Sequence, residues 1–164
     1  MLEHPPHVDT EPFEEASDDG IDILVVEDNE AERQSIVAAL RAAIADVRVT
    51  SVGNGDDALD FLFARGQWAS REGEEPPKLI LLDLEMPGTS GISVLGQIRA
   101  IEPKEALTVA PVVIFSDSGS RSDIRESYRC GANSYIIKPL SFLDFQTVVE
   151  AVGQYWMNRN TTSN

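Results

Sequence analysis

From residue 21 onward, short apolar runs alternate with segments of helical period, a pattern that leaves few folds open. Two of the runs stop at acids: Ile23-Leu24-Val25-Val26 leads into Glu27-Asp28, and Leu79-Ile80-Leu81-Leu82 leads into Asp83. A later run leads into Lys138-Pro139. Strands this uniformly apolar are covered on both faces, and helical crossovers between them make the sheet parallel. The spacing predicts strands near 21–26, 47–52, 79–83, 111–115 and 133–137, and helices near 29–44, 55–65, 90–101, 120–130 and 141–156. Asp28-Asn29, Ser90 and Ser141 suit helix N-caps, and Gly131 suits the position after a helix end. Two connections, 66–77 and 102–110, are longer than ordinary helix-to-strand loops, and Trp68 is expected to pin the first to the body.

A parallel sheet brings all these strand ends to one carboxyl edge, where open α/β sheets bind ligands. Three carboxylates and one ammonium would meet there. Two carboxylates about 4 Å apart repel by roughly 1 kcal/mol in water and about 4 kcal/mol at an effective dielectric of 20, so the acids require a cation. Hard oxygen donors favour Mg²⁺, which takes one or two carboxylates together with phosphate oxygens. The constellation is thus suited to a divalent metal and a phosphoryl group, with one acid left for chemistry.

Composition excludes several classes of partner. With 13 basic and 28 acidic residues the net charge is −15, the opposite of what a nucleic-acid backbone needs. No apolar run is long enough to span a membrane, and the start, Met1-Leu2-Glu3-His4-Pro5-Pro6, lacks the basic and apolar parts of a secretion signal. One cysteine, Cys130, forms no internal disulfide, which fits a reducing cytoplasm. Residues 1–20 carry seven acids, no Lys or Arg, and three prolines, so a disordered acidic tail is expected there. A single domain over 21–157 and a short tail over 158–164 complete the expected organisation.

In order along the chain, Glu27-Asp28, Asp83, Ser116, Tyr135 and Lys138-Pro139 follow or sit in the first, third, fourth and fifth predicted strands. On these residues the chain resembles a CheY-like response regulator receiver domain, the phosphorylation switch of two-component signalling, over about residues 20–156. The resemblance implies a flavodoxin-like doubly wound (βα)5 fold with a parallel five-stranded sheet in the order 2-1-3-4-5. It makes Asp83 the phosphoryl acceptor. Glu27, Asp28, Asp83 and the backbone carbonyl of Glu85 become Mg²⁺ ligands, and Lys138 and Ser116 the phosphate-binding groups. Tyr135 becomes the switch aromatic, and the Lys138–Pro139 bond is expected to be cis. The position after the switch hydroxyl is commonly small in the family; here it is Asp117, followed by Ser118, and with Glu85 these are candidate modulators of the reaction.

Few residues follow Trp156, so the receiver is expected to stand alone and to signal by protein contact. The long connections and the Tyr155-Trp156 ending resemble regulators paired with bacterial phytochromes and hybrid histidine kinases, which implies a histidine kinase, and specifically a bacteriophytochrome, as partner. Arg121, Arg125 and Arg129 form a basic stripe that reads as a solvated helix face or a partner surface. Phe145, Val148, Val149, Val152 and Trp156 can face the core, leaving Phe142 and Tyr155 as candidates for a homodimer contact, with Trp156 beside them a further candidate for it. Beside the phosphoryl-accepting receiver stand two alternatives: a degenerate receiver that binds partners without phosphorylation, favoured by Asp117, and a small Mg²⁺-dependent aspartyl phosphatase. No catalysis beyond the protein's own phosphorylation and dephosphorylation is implied by the first reading.

Overall fold

A computed structural model describes residues 20–102 and 105–161. The expected acidic tail therefore lies outside the described residues, apart from Gly20. Five parallel strands, β1 (Ile23–Val26), β2 (Val49–Val52), β3 (Leu79–Leu82), β4 (Val112–Ser116) and β5 (Ser134–Ile137), form one sheet in the order 2-1-3-4-5. The register pairs Val26 with both Val52 and Leu82, Leu82 with Ile114, and Ser116 with Ile137. Strand ends thereby fall level with one another, which places Glu27, Asp83 and Lys138 at the same edge.

Helices α1 (Glu30–Ala43), α2 (Gly55–Leu62), α3 (Gly91–Arg99), α4 (Arg121–Arg129) and α5 (Phe142–Gln154) return the chain between strands and beyond the last. Each begins at a residue whose side chain accepts a backbone N–H two or three positions on: Asn29, Asn54, Ser90, Ser120 and Ser141. Helix α2 stops three residues short of expectation because Ala64 and Gly66 adopt positive φ. Gly131, after α4, has φ of 100°, a conformation that glycine enters without the steric cost of a Cβ.

The two faces of the sheet bury separate clusters. Leu24, Ile80, Leu82, Val112 and Ile114 pack with α2 and α3, whereas Ile23, Val25, Leu79, Leu81, Val113 and Phe115 pack with α1 and α5. Helix α5 lies so close to α1 that a Cβ at Gly153 would sit 2.5 Å from a Leu40 methyl. After Gln154 the helix widens into a π-turn over Tyr155–Arg159, closed by the Asn160 N–H donating to the Tyr155 carbonyl, and both Trp156 and Met157 pack on the core. The first long connection contains a 3-10 helix, Gly66–Arg71, from which Trp68 sets its ring edge-on to Phe61 at 5.0 Å. Arg71 lies over the same phenyl ring at 3.6 Å. The second contains a 3-10 turn, Ala106–Val109, whose carbonyls at Thr108 and Ala110 accept from Arg99. No helix among the described residues is long and apolar enough to cross a membrane.

At the amino edge of the sheet, Asp22 is buried and holds its neighbours together. Its carboxylate accepts from the Arg48 backbone at 2.9 Å and pairs with the Arg48 guanidinium at 3.3 Å and the Lys78 ammonium at 3.1 Å. Burial works to raise its pKa, but the Arg48 and Lys78 contacts outweigh it and hold the group below 3.8. A depressed pKa in the folded state means that this stabilisation is present above the unfolded value and disappears as pH falls through the folded one. Asp22→Asn is expected to cost about 1.5–3 kcal/mol at neutral pH, the range for hydrogen bonds to a charged group, and to cost progressively less as pH drops below 4. Urea unfolding midpoints measured against pH for both proteins check this; an equal loss at every pH would contradict it.

Candidate functional site

The carboxyl edge gathers the residues that the sequence picked out. Glu27 and Asp28 follow β1, Asp83 follows β3, Ser116 ends β4, and Lys138 follows β5. A ligand oxygen from each of Glu27, Asp28 and Asp83 lies within 4.8 Å of the others. Glu27 and Asp83 form the floor at 2% and 5% exposure, and Asp28 stands at the open rim.

Lys138 is the cation at the centre of this group, and its side chain is 2% exposed. Its ammonium donates to Glu27 Oε2 at 2.7 Å, to Glu32 Oε2 at 2.7 Å and to Asp83 Oδ2 at 3.5 Å, while Asp117 Oδ2 lies 3.9 Å away. Burial disfavours the ammonium, but Glu27, Glu32 and Asp83 together hold its pKa above the ordinary lysine value. The acids are the losing side. Burial, reinforced by repulsion from Asp83, pushes Glu27 up to about 7 despite its hydrogen bond from Lys138. Asp83 is also raised by burial, offset in part by the Lys138 charge and by N–H groups of Glu85 and Leu84.

This imbalance tests the fit to a metal. Buried carboxylates that one ammonium cannot fully neutralise are stabilised by a further positive charge, and all three donors are hard oxygens of the kind that divalent Mg, Ca and Mn take. The acidic cluster therefore suits such a cation on chemistry and on charge.

Local structure explains why the floor is rigid. Asn29 Oδ1 accepts the Glu32 N–H at 2.9 Å and caps α1, while the Asn29 N–H donates to Glu27 Oε1 at 3.1 Å. Arg33 donates to the Glu27 carbonyl at 2.8 Å, and Gly53 leaves room for it, since a Cβ there would come within 3.1 Å of the guanidinium. After β3, a Cβ on Gly91 would lie 2.1 Å from the Asp83 carbonyl oxygen, so only glycine lets α3 begin against the strand end. Thr89 donates to Asp56 at 2.6 Å and fastens the intervening loop to α2.

Ser116 is fully buried, and its hydroxyl accepts the Ser118 N–H at 3.2 Å. Ser118 in turn donates to the Asp123 carboxylate, and its carbonyl accepts from the Tyr135 hydroxyl at 2.7 Å. Tyr135 is thus half-buried with its hydroxyl tied to the β4–α4 loop. The side chain of Glu85 is exposed, while its N–H donates to Asp83 Oδ1 at 3.4 Å. Asp117 is 66% exposed but leans over the mouth of the site.

Two expectations need correction. The Lys138–Pro139 bond is not cis; no cis peptide bond occurs among the described residues. The trans isomer is intrinsically preferred by about 0.5–1 kcal/mol, and from it the Lys138 side chain already reaches all three acids. Trp156, a candidate for the contact as well as for the core, packs against the core and meets the Tyr155 ring edge-on at 5.3 Å, so its part in the contact is withdrawn and its core reading stands. Phe142 and Tyr155 are exposed at 70% and 52%, as are Arg121, Arg125 and Arg129 on α4.

Glu32 and Arg33 are the site residues that the sequence reading passed over. The spacing Asn29-x-x-Glu32 is that of a capping box, which would have accounted for Glu32 within its own helix. Glu27 takes that reciprocal role, and Glu32 turns to an ammonium 106 residues away.

Comparison with known proteins agrees with this geometry. The response regulator receiver domain model matches residues 23–150. The probable methanogenesis regulatory protein FilR2 of Methanothrix harundinacea is 37% identical over 144 residues, covering 88% of each chain. Response regulator Rcp1 of Synechocystis is 30% identical over 139 residues, 85% of this chain and 90% of that one. Among solved structures, the phosphorylated cyanobacterial phytochrome response regulator RcpA superposes with a TM-score of 0.79 at 32% identity, over 88% of this chain and 99% of that one. The Mn²⁺-bound form of Rcp1 gives 0.76 at 30% identity, over 87% and 98%. With its sheet order, its level strand ends and its acidic pocket, the chain belongs to the response regulator receiver family of two-component phosphorylation signalling.

Proposed function

We propose that Asp83 accepts a phosphoryl group from a phosphorylated histidine of a sensor kinase in a Mg²⁺-dependent reaction, and that the protein signals this state by contact with other proteins. The observation that carries the proposal is the buried Asp83 carboxylate, gathered with Glu27 and Asp28 into one acidic cluster and reached by the Lys138 ammonium at 3.5 Å. An oxygen of Asp83 attacks phosphorus; the P–N bond breaks, and its electron pair returns to the imidazole nitrogen. The product is an acyl phosphate. Glu27, Asp28, Asp83 and the Glu85 carbonyl would hold Mg²⁺, which when bound neutralises the acids and phosphoryl oxygens that would otherwise repel. Lys138 takes up charge on the phosphoryl oxygens, and Glu85 and Leu84 N–H groups orient the attacking carboxylate. In this reading the protein catalyses only the gain and loss of its own phosphoryl group.

Phosphorylation adds about −1.5 to −2 charge and strong acceptors beside Ser116 and Lys138. The Ser116 hydroxyl accepts from the same Ser118 whose carbonyl holds Tyr135, so a shift of Ser116 toward phosphate bears on Tyr135, α4 and β5. The partner is a histidine kinase in the cytoplasm, and the likeness to RcpA, a cyanobacterial phytochrome response regulator, supports a phytochrome as that kinase. Ile137, Leu140, Phe142, Leu143 and Tyr155, all at least half exposed, support an isologous homodimer across the β5–α5 face.

Three outcomes are expected. Given Mg²⁺ and a small phosphodonor, the parent gains one base-labile phosphoryl group, Asp83→Asn gains none, and Asp28→Ala loses labelling together with Mg²⁺ affinity. Intact-mass spectrometry and a metal titration read this; a parent that no donor labels would instead support a degenerate receiver. Asp117→Ala should label about tenfold faster with an anionic donor, the equivalent of about 1.4 kcal/mol from removing one nearby negative charge. Identical rates in the two proteins would show that Asp117 faces away from the incoming anion. Finally, sedimentation over a wide concentration range should show a dimer that Phe142→Ser and Tyr155→Ser weaken; a monomer throughout, with and without a phosphoryl mimic, rules the dimer out.

A further inference from the structure

Lys138 has three N–H donors, and the structure shows where they go. Two short contacts, both 2.7 Å, hold the ammonium to Glu27 and Glu32, and the longest, 3.5 Å, reaches Asp83. The two short partners are not equivalent. Glu27 is 2% exposed, accepts the Asn29 N–H on its other oxygen, and belongs to the acidic cluster, so it has nowhere to go. Glu32 lies outside that cluster, is 35% exposed, and does not serve the helix cap, whose reciprocal contact Glu27 supplies. Its carboxylate can leave for water by rotating on an exposed helix turn. The acid that the reaction does not need is thus the one that can release the lysine.

We propose that Glu32 is a brake on phosphoryl capture: it parks Lys138 in a hydrogen bond that an oxygen of the incoming phosphoryl group must displace. The inference rests on Asp83 being the acceptor, as argued above, and adds a positioning residue that acts through Lys138. It differs from the effect of Asp117, which lies farther from the ammonium, at 3.9 Å, and is more exposed.

Glu30 supplies the control. It stands in the same first turn of α1 with the same charge, is exposed, and accepts from Gln34 at 3.2 Å. Labelling by acetyl phosphate and affinity for beryllofluoride, a phosphoryl mimic that binds without covalent transfer, are measured in Mg²⁺ for the parent, Glu32→Gln, Glu32→Ala and Glu30→Gln. Both Glu32 variants should label about fivefold faster and bind beryllofluoride about fivefold more tightly, the factor for a half-exposed ion pair of about 1 kcal/mol. Glu30→Gln should match the parent, and urea unfolding should show all variants folded. A purely structural role for Glu32 would lower stability and slow labelling together, and would overturn the proposal. Equal acceleration in Glu30→Gln would reduce it to general charge and overturn it as well. A parent that labels on Asp83 with unchanged rates in both Glu32 variants defeats this inference alone, whereas a parent that neither labels nor binds beryllofluoride defeats the acceptor assignment and this inference with it.

Discussion

The arrangement at the carboxyl edge depends on one buried ammonium. Lys138 leaves the end of β5 with its side chain almost fully covered, and a lone buried charge of this kind is untenable without opposite charge in contact. The compensating carboxylates come from the end of β1, the first turn of α1 and the end of β3. Because β4 separates β5 from β3 in the sheet, the lysine must reach across it, and its ammonium lies 5.9 Å from the Phe115 ring as it does so. The contact therefore links the beginning of the domain to its end and places the acceptor carboxylate between them.

The two edges of the sheet treat a buried aspartate in opposite ways. Asp22 at the amino edge faces two cations, its pKa is drawn down, and its charge is fully answered. At the carboxyl edge several acids share one cation, and Glu27 and Asp83 are pushed up. A satisfied ion cluster stabilises the fold; an unsatisfied one stores a demand for positive charge and for a ligand that brings it. Perturbed acids in a partly open site mark function for this reason. In this protein the distinction is visible between two ends of the same strand.

Backbone room matters as much as charge. Gly91 lets α3 start against the carbonyl of Asp83, and Gly53 leaves space for the Arg33 guanidinium that fixes the Glu27 carbonyl. The Asp56–Thr89 hydrogen bond closes the loop between them. These contacts remove freedom from the loops that carry the acids, so the acceptor and its neighbours are held before any ligand arrives, which is what electrostatic preorganisation requires. The partner of Lys138 that water can reach is instead the Glu32 carboxylate.

The alternation of apolar runs and amphipathic segments was enough to specify a parallel sheet and the edge at which Glu27, Asp28, Asp83 and Lys138 meet, because strand burial and the period of two or 3.6 residues are local properties of the chain, whereas the strand order and the place of Ser116 in the site followed from the resemblance to the receiver family. Caps at Asn29, Ser90 and Ser141 were legible for the same reason. Other features were not local. Helix α2 stopped early at positive-φ residues, α5 gave way to a π-turn after Gln154, and the bond before Pro139 stayed trans. Glu32 drew no notice in the sequence, and only the fold sets Lys138 beside it. Sequence determined which charged groups come to one edge; only the tertiary structure decided how they share one cation, since that depends on distances between residues more than a hundred positions apart and on which of them water can still reach.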